Sequence, residues 1–247
     1  MSRREVWLLV AKELRQVSRS RNALLSGLLF PTLMLLVVPG IELASSRRGG
    51  SGAKLPAGLP PGLDVISGPT SHIFLYLVFP LFYLLAGLLT PAVTAIYTIV
   101  NEREQRTLEL LMALPVTVRE ILAAKLIANL IGAMTPILPL FCVNAVLVVT
   151  IGHGDAAYVV AALVLLLSAL ATSVSIGLFL ALVARDSRTA NNLTAVWLFP
   201  SMLLVGVAVV FVPGDWRFYA LAAALLLLAT GLLTFCLRWL TFERYLA

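Results

Sequence analysis

Charge is what this chain has least of. Only 12% of its 247 residues are Asp, Glu, Lys or Arg and 60% are hydrophobic, whereas soluble domains carry roughly 25% charged residues. Several apolar runs reach about 20 residues, the length needed to cross a bilayer, so the composition marks an integral membrane protein. There are two cysteines, Cys142 and Cys236, both inside apolar runs. They are expected to be small buried side chains, neither a disulfide framework nor a metal set. The two histidines, His72 and His153, fall at span edges and read as solvated loop residues. No HExxH, G-x-S-x-G or intramembrane carboxylate pair is present, which argues against a membrane enzyme of those kinds. A G-x-x-x-x-G-K-[ST] loop is also missing, so the chain cannot cradle ATP in that way. Nor do the central parts of the apolar runs contain Asp, Glu, Lys, Arg or His. Coupling to protons or ions needs a site that changes charge, which argues against a secondary transporter.

What is there reads as an all-α membrane domain over residues 1–247. Residues 2–22 are basic and mildly amphipathic: Val6, Val10, Leu14 and Val17 share a face, with Trp7 beside them. Such a helix suits the headgroup layer. The first span is expected at about 23–41, with Pro31 and Pro39 inside it. Residues 44–72 are rich in Gly, Pro and Ser and cannot bury a core, so they read as a flexible loop. The second span covers about 73–100. The third covers about 118–151 and should be interrupted and kinked by Pro136 and Pro139. After a GHGD turn, the fourth covers about 156–184. There Ala169, Ser173, Gly177 and Ala181 repeat every four residues, a spacing that lets another helix approach closely. The fifth span is expected at about 192–212 and the sixth at about 218–237. Asn144, Thr172, Ser173, Ser175 and Thr194 are the candidate polar linings of a pathway, and helix-to-helix hydrogen bonding is the ordinary alternative for each.

The longest charged stretch between two apolar runs is Asn101–Lys125, NEREQRTLELLMALPVTVREILAAK. Leu108, Leu111 and Met112 recur at helical spacing and give an amphipathic stripe. Glu102 and Arg106 are four apart in the favourable acid-then-base order. Pro115 ends this piece. Thr117 and Glu120 then form a capping box, with Val116 and Ile121 as the hydrophobic staple of a new helix. A short helix outside the bilayer, tied to two long ones, is the result.

Orientation follows from the basic residues. With both termini inside, only Arg47, Arg48, Lys54 and Arg217 of the 18 lie outside. The positive-inside rule selects this arrangement and puts Asn101–Lys125 in the cytoplasm.

The segment ERE-x-x-TLELL-x-x-x-P-V-x-x-x-E-I-x-x-x-K resembles the signature of ABC-2 type transporter permeases. Here it comprises Glu102, Arg103, Glu104, Thr107, Leu108, Glu109, Leu110, Leu111, Pro115, Val116, Glu120, Ile121 and Lys125. Arg106 and Ala124 stand where family members often have Gly. The resemblance is closest to the sodium- and drug-efflux-like permeases. It implies an interfacial elbow helix at 1–22, six spans and a coupling helix within 101–117. It also implies the membrane-spanning subunit of an ABC exporter in the inner membrane of a prokaryote, acting as a homodimer or with a similar permease. The chain would hold no cofactor, and ATP and Mg would belong to a separate ATP-binding subunit. That subunit would be contacted by Glu104, Gln105, Thr107, Leu108, Glu109, Leu111 and Met112. The other reading is a membrane assembly or anchor protein in which the same helix only docks a cytoplasmic partner.

Overall fold

The structure is a computed structural model that describes residues 10–12, 29, 31–41, 75, 78–89, 91, 118–150, 155–183, 189, 192, 196, 200, 203, 207, 211–212 and 216–239, the side chains of 118–122, 181–183 and 237–239 excepted. All of these are helical apart from Asp155 and Val212, and no strand occurs among the described residues. The loop at 44–72 and the helix at 101–117 lie outside them.

Among the described residues, three helices are long and apolar enough to cross a membrane, at Ala123–Thr150, Ala156–Leu180 and Trp216–Cys236. We name the four helices used below α1 (Phe79–Leu89), α2 (Val118–Thr150), α3 (Ala156–Val183) and α4 (Trp216–Trp239). In the region expected to be the first span, residues 31–41 are helical around a π-helical turn, Leu33–Val37. Described residues of the region assigned to the fifth span, such as Val196, Leu203 and Val207, are helical and exposed.

Helix α2 passes through Pro136 and Pro139 without ending, which corrects the expected interruption. Hydrocarbon offers no water to bond the carbonyls freed by a broken helix. Continuing past each proline therefore leaves fewer backbone groups unsatisfied than stopping there. The boundaries of α2 and α3 fall within a residue of expectation, and α4 extends about two residues further at each end. The Asp155 carbonyl accepts the first α3 bond, from Val159 N–H at 3.2 Å, so Asp155 occupies the N-cap position.

Helix α3 is the axis of the packing. Within its spanning window 67% is buried, compared with 28% in α2 and in α4. Both α2 and α4 pack on α3, and the π turn packs on α2. Helix α1 meets α3 at Gly87, where an added Cβ would lie 2.7 Å from the Ala169 Cβ and 3.2 Å from the Leu166 carbonyl oxygen. No side chain fits there, so the glycine is what lets the two backbones come together. The outer faces of α2 and α4 carry uncovered Val143, Val146, Trp216, Leu227 and Phe235, an apolar surface suited to lipid.

Candidate functional site

The polar side chains of the described residues are concentrated where helices meet. Asn144 lies on the inner face of α2 and is fully buried. Its Oδ1 accepts a hydrogen bond from the Tyr83 hydroxyl of α1 at 2.7 Å, and its Nδ2 donates to the Leu35 carbonyl in the π turn at 2.6 Å. One amide thus joins three separate elements. The Tyr83 ring stands edge-on to Phe141, one turn before Asn144, with centroids 5.7 Å apart.

Tyr158, near the start of α3, forms a second junction. Its hydroxyl donates to the Leu75 carbonyl at 2.7 Å, and its ring packs edge-on to Phe218 of α4 at 5.2 Å. Further along α3, Thr172 shares its hydroxyl proton between the Ser168 carbonyl at 2.7 Å and the Leu225 carbonyl of α4 at 2.9 Å. Ser173 donates to the Leu88 carbonyl of α1. Ser175 is bonded within its own helix, to the Ala171 carbonyl at 2.8 Å.

Of the polar residues expected at a pathway, Asn144, Thr172 and Ser173 therefore bond to other elements, Ser175 bonds to its own helix, and Thr194 lies outside the described residues. The residues expected to touch an ATP-binding subunit, Glu104 to Met112, lie outside them as well. Tyr83 and Tyr158 were not anticipated. A phenol within an apolar run must find an acceptor, and for Tyr158 the proline at 80 was the signal that a carbonyl nearby would be available.

At the base of α2, Val10 is buried against Ala124 and Ala128. Val10 belongs to the apolar face read in the N-terminal segment, and residues 10–12 are helical. Lys125 and Asn129, on the same stretch of α2, are also buried. At the start of α4, Arg217 is fully buried, although it had been placed in an outer turn. Both cysteines are free. Cys236 is buried as expected, whereas Cys142 is exposed, because it shares the outward face of α2 with Val143 and Val146. Among the described residues no group of His, Cys, Asp and Glu could hold a metal ion.

Long apolar helices, packed through small residues and tied by buried polar groups, define an integral membrane protein of the helical class. Within that class the chain belongs to the ABC-2 family transporter proteins, whose family pattern matches residues 7–217. The match takes in Asn101–Lys125 and ends on the second residue of α4. No curated protein matches the chain. Family membership makes it a membrane permease component of an ABC transporter, a class that works with an ATP-binding subunit.

Proposed function

We propose that the chain is the membrane-spanning subunit of an ATP-driven exporter and that ATP, with Mg, is bound and hydrolysed by a separate subunit. The observation that carries this reading is the family match over residues 7–217. The stretch Asn101–Lys125, within that match, supplies the coupling element. A rigid helix fixed at both ends to long spans can act as a lever that passes the closure of the ATP-binding subunit to the membrane domain. Leu108, Leu111 and Met112 would be its apolar anchor and Glu104 and Glu109 its charged rim, with Gln105 and Thr107 between them.

Both termini and the coupling helix face the cytoplasm in this reading, which the distribution of basic residues supports. Residues 1–22 form the elbow helix, and the burial of Val10 against α2 favours such an arrangement. Two permease chains, identical or similar, enclose the pathway. If Asn144, Thr172 or Ser173 line it, their bonds to neighbouring helices must open during transport. An inner-membrane, prokaryotic efflux role accords with the family resemblance.

The deciding test is capture of the ATP-binding subunit, measured alongside transport, for two variants. Leu111→Ala should weaken binding by about 1–3 kcal/mol, since interfaces concentrate their energy in a few buried anchors. Glu109→Lys should mainly slow association or uncouple hydrolysis from transport. Wild-type values for both variants in both assays would reject the coupling role.

A further inference from the structure

We infer that Asn144 is a positioning residue that holds the π-helical turn at Leu33–Val37, by donating to the Leu35 carbonyl, whose α-helical donor Pro39 removes. The argument begins with backbone chemistry. In an α-helix the Leu35 carbonyl would take its bond from the amide of residue 39. Residue 39 is Pro39, which has no N–H, and its ring crowds the carbonyl four residues before it. That carbonyl belongs to Leu35.

The geometry records both effects. The turn is widened into a π-helix at Leu33–Val37, with Val38 N–H reaching back five residues to the Leu33 carbonyl. Leu35 is fully buried, so no water can reach its oxygen. With the α-helical donor removed, the Asn144 Nδ2 gives this oxygen a side-chain donor at 2.6 Å. The amide is held in turn by the Tyr83 hydroxyl on its other side. Asn144 suits this position because one side chain presents both a donor and an acceptor.

A related arrangement occurs a second time, with the proline five residues after the bonded carbonyl instead of four. Leu75 and Val78 are π-helical, and the π-helical donor for the Leu75 carbonyl would be the amide of residue 80. Residue 80 is proline too, and the Tyr158 hydroxyl bonds the Leu75 carbonyl. Two proline-weakened turns are thus each held by a side chain from a later helix. Such a turn is held by a side chain from another helix as well as by its own widened backbone bonding.

This inference does not rest on the exporter reading, and its test needs neither an ATP-binding subunit nor a substrate. The purified full chain in lipid nanodiscs is compared as wild type, Asn144→Leu, Pro39→Ala and the double variant. The readouts are the thermal unfolding midpoint and amide hydrogen exchange at residues 38–41. Asn144→Leu should lower the midpoint and speed exchange at these residues. Pro39→Ala restores the missing N–H, so in that background both effects should shrink to less than half. Equal losses in the two backgrounds would overturn the inference. Thr172→Val is the control: it removes a bond between α3 and α4 that involves neither Asn144 nor Leu35, so its effect should not depend on residue 39. Dependence as strong as that of Asn144→Leu would also overturn the assignment, by showing general loosening. If Asn144→Leu does not accumulate, Asn144→Ser, too short to reach Leu35, completes the same cycle.

Discussion

Thr172 in α3 and Thr230 in α4 are the same residue in similarly apolar helices, yet their hydroxyls do different work. Thr172 is buried and reaches across to the Leu225 carbonyl of α4. Thr230 is exposed and bonds only within its own helix, to the Leu226 and Leu227 carbonyls at 2.9 and 3.0 Å. Thr135 and Thr150 on the outer side of α2 likewise bond back four residues, to Ile131 and Val146. A hydroxyl in hydrocarbon must be satisfied in either case. What separates the two groups is whether another backbone lies within reach. On α3 it does: the Leu225 backbone of α4 lies beside Thr172, and Gly87 against Ala169 brings the Leu88 carbonyl of α1 within reach of Ser173.

The contrast can be broken most severely at that close approach. Gly87→Leu would force a side chain into the space held by Ala169 and the Leu166 carbonyl, and overpacking of this kind costs typically about 1–3 kcal/mol, occasionally more. Loss of folded protein, read by size-exclusion profile and thermal unfolding in detergent, is the expected outcome. A wild-type unfolding midpoint would mean that α1 and α3 are not in contact.

Removing the crossing bond itself should have a smaller effect. Thr172→Val keeps the shape and deletes the hydroxyl, and interhelical hydrogen bonds in membranes average about 0.6 kcal/mol with a maximum near 1.7. Reversible unfolding in mixed micelles should show a loss in that range. Smallest of all is Thr230→Val, an outward change that should stay within about 0.5 kcal/mol. If the two threonines give equal losses, the division between crossing and self-bonded hydroxyls does not hold.

Much of this architecture could be read from the sequence because hydrocarbon solvent leaves few alternatives. Run length alone located α2 and α3, and the four-residue repeat of Ala169 and Ser173 foretold the face that meets α1. The effect of proline was harder to read. Pro39 and Pro136 look alike in sequence, but a π turn precedes the first and an unbroken helix carries the second. The difference depends on which side chains come near in three dimensions, and local sequence does not contain that. Tyr83 and Tyr158 were missed for the same reason, their acceptors, the Asn144 Oδ1 and the Leu75 carbonyl, lying 61 and 83 residues away in sequence. Burial of Lys125 was equally hidden: a cation at a span boundary signals orientation, and its long alkyl stem can still lie along an apolar surface.

The bond between Asn144 and Leu35 also has a consequence for biosynthesis. Its two ends are separated by 109 residues, and a chain grows at about 5–20 residues per second. The Leu35 carbonyl must therefore wait on the order of 5–20 seconds after its own synthesis before Asn144 has even been made. During that interval this oxygen is without its side-chain donor. Ribosome-bound chains that end before residue 144 should thus hold residues 31–41 in a looser helix than chains long enough to deliver the amide. The newborn protein would brace its first proline-containing turn only when its third long apolar segment enters the bilayer.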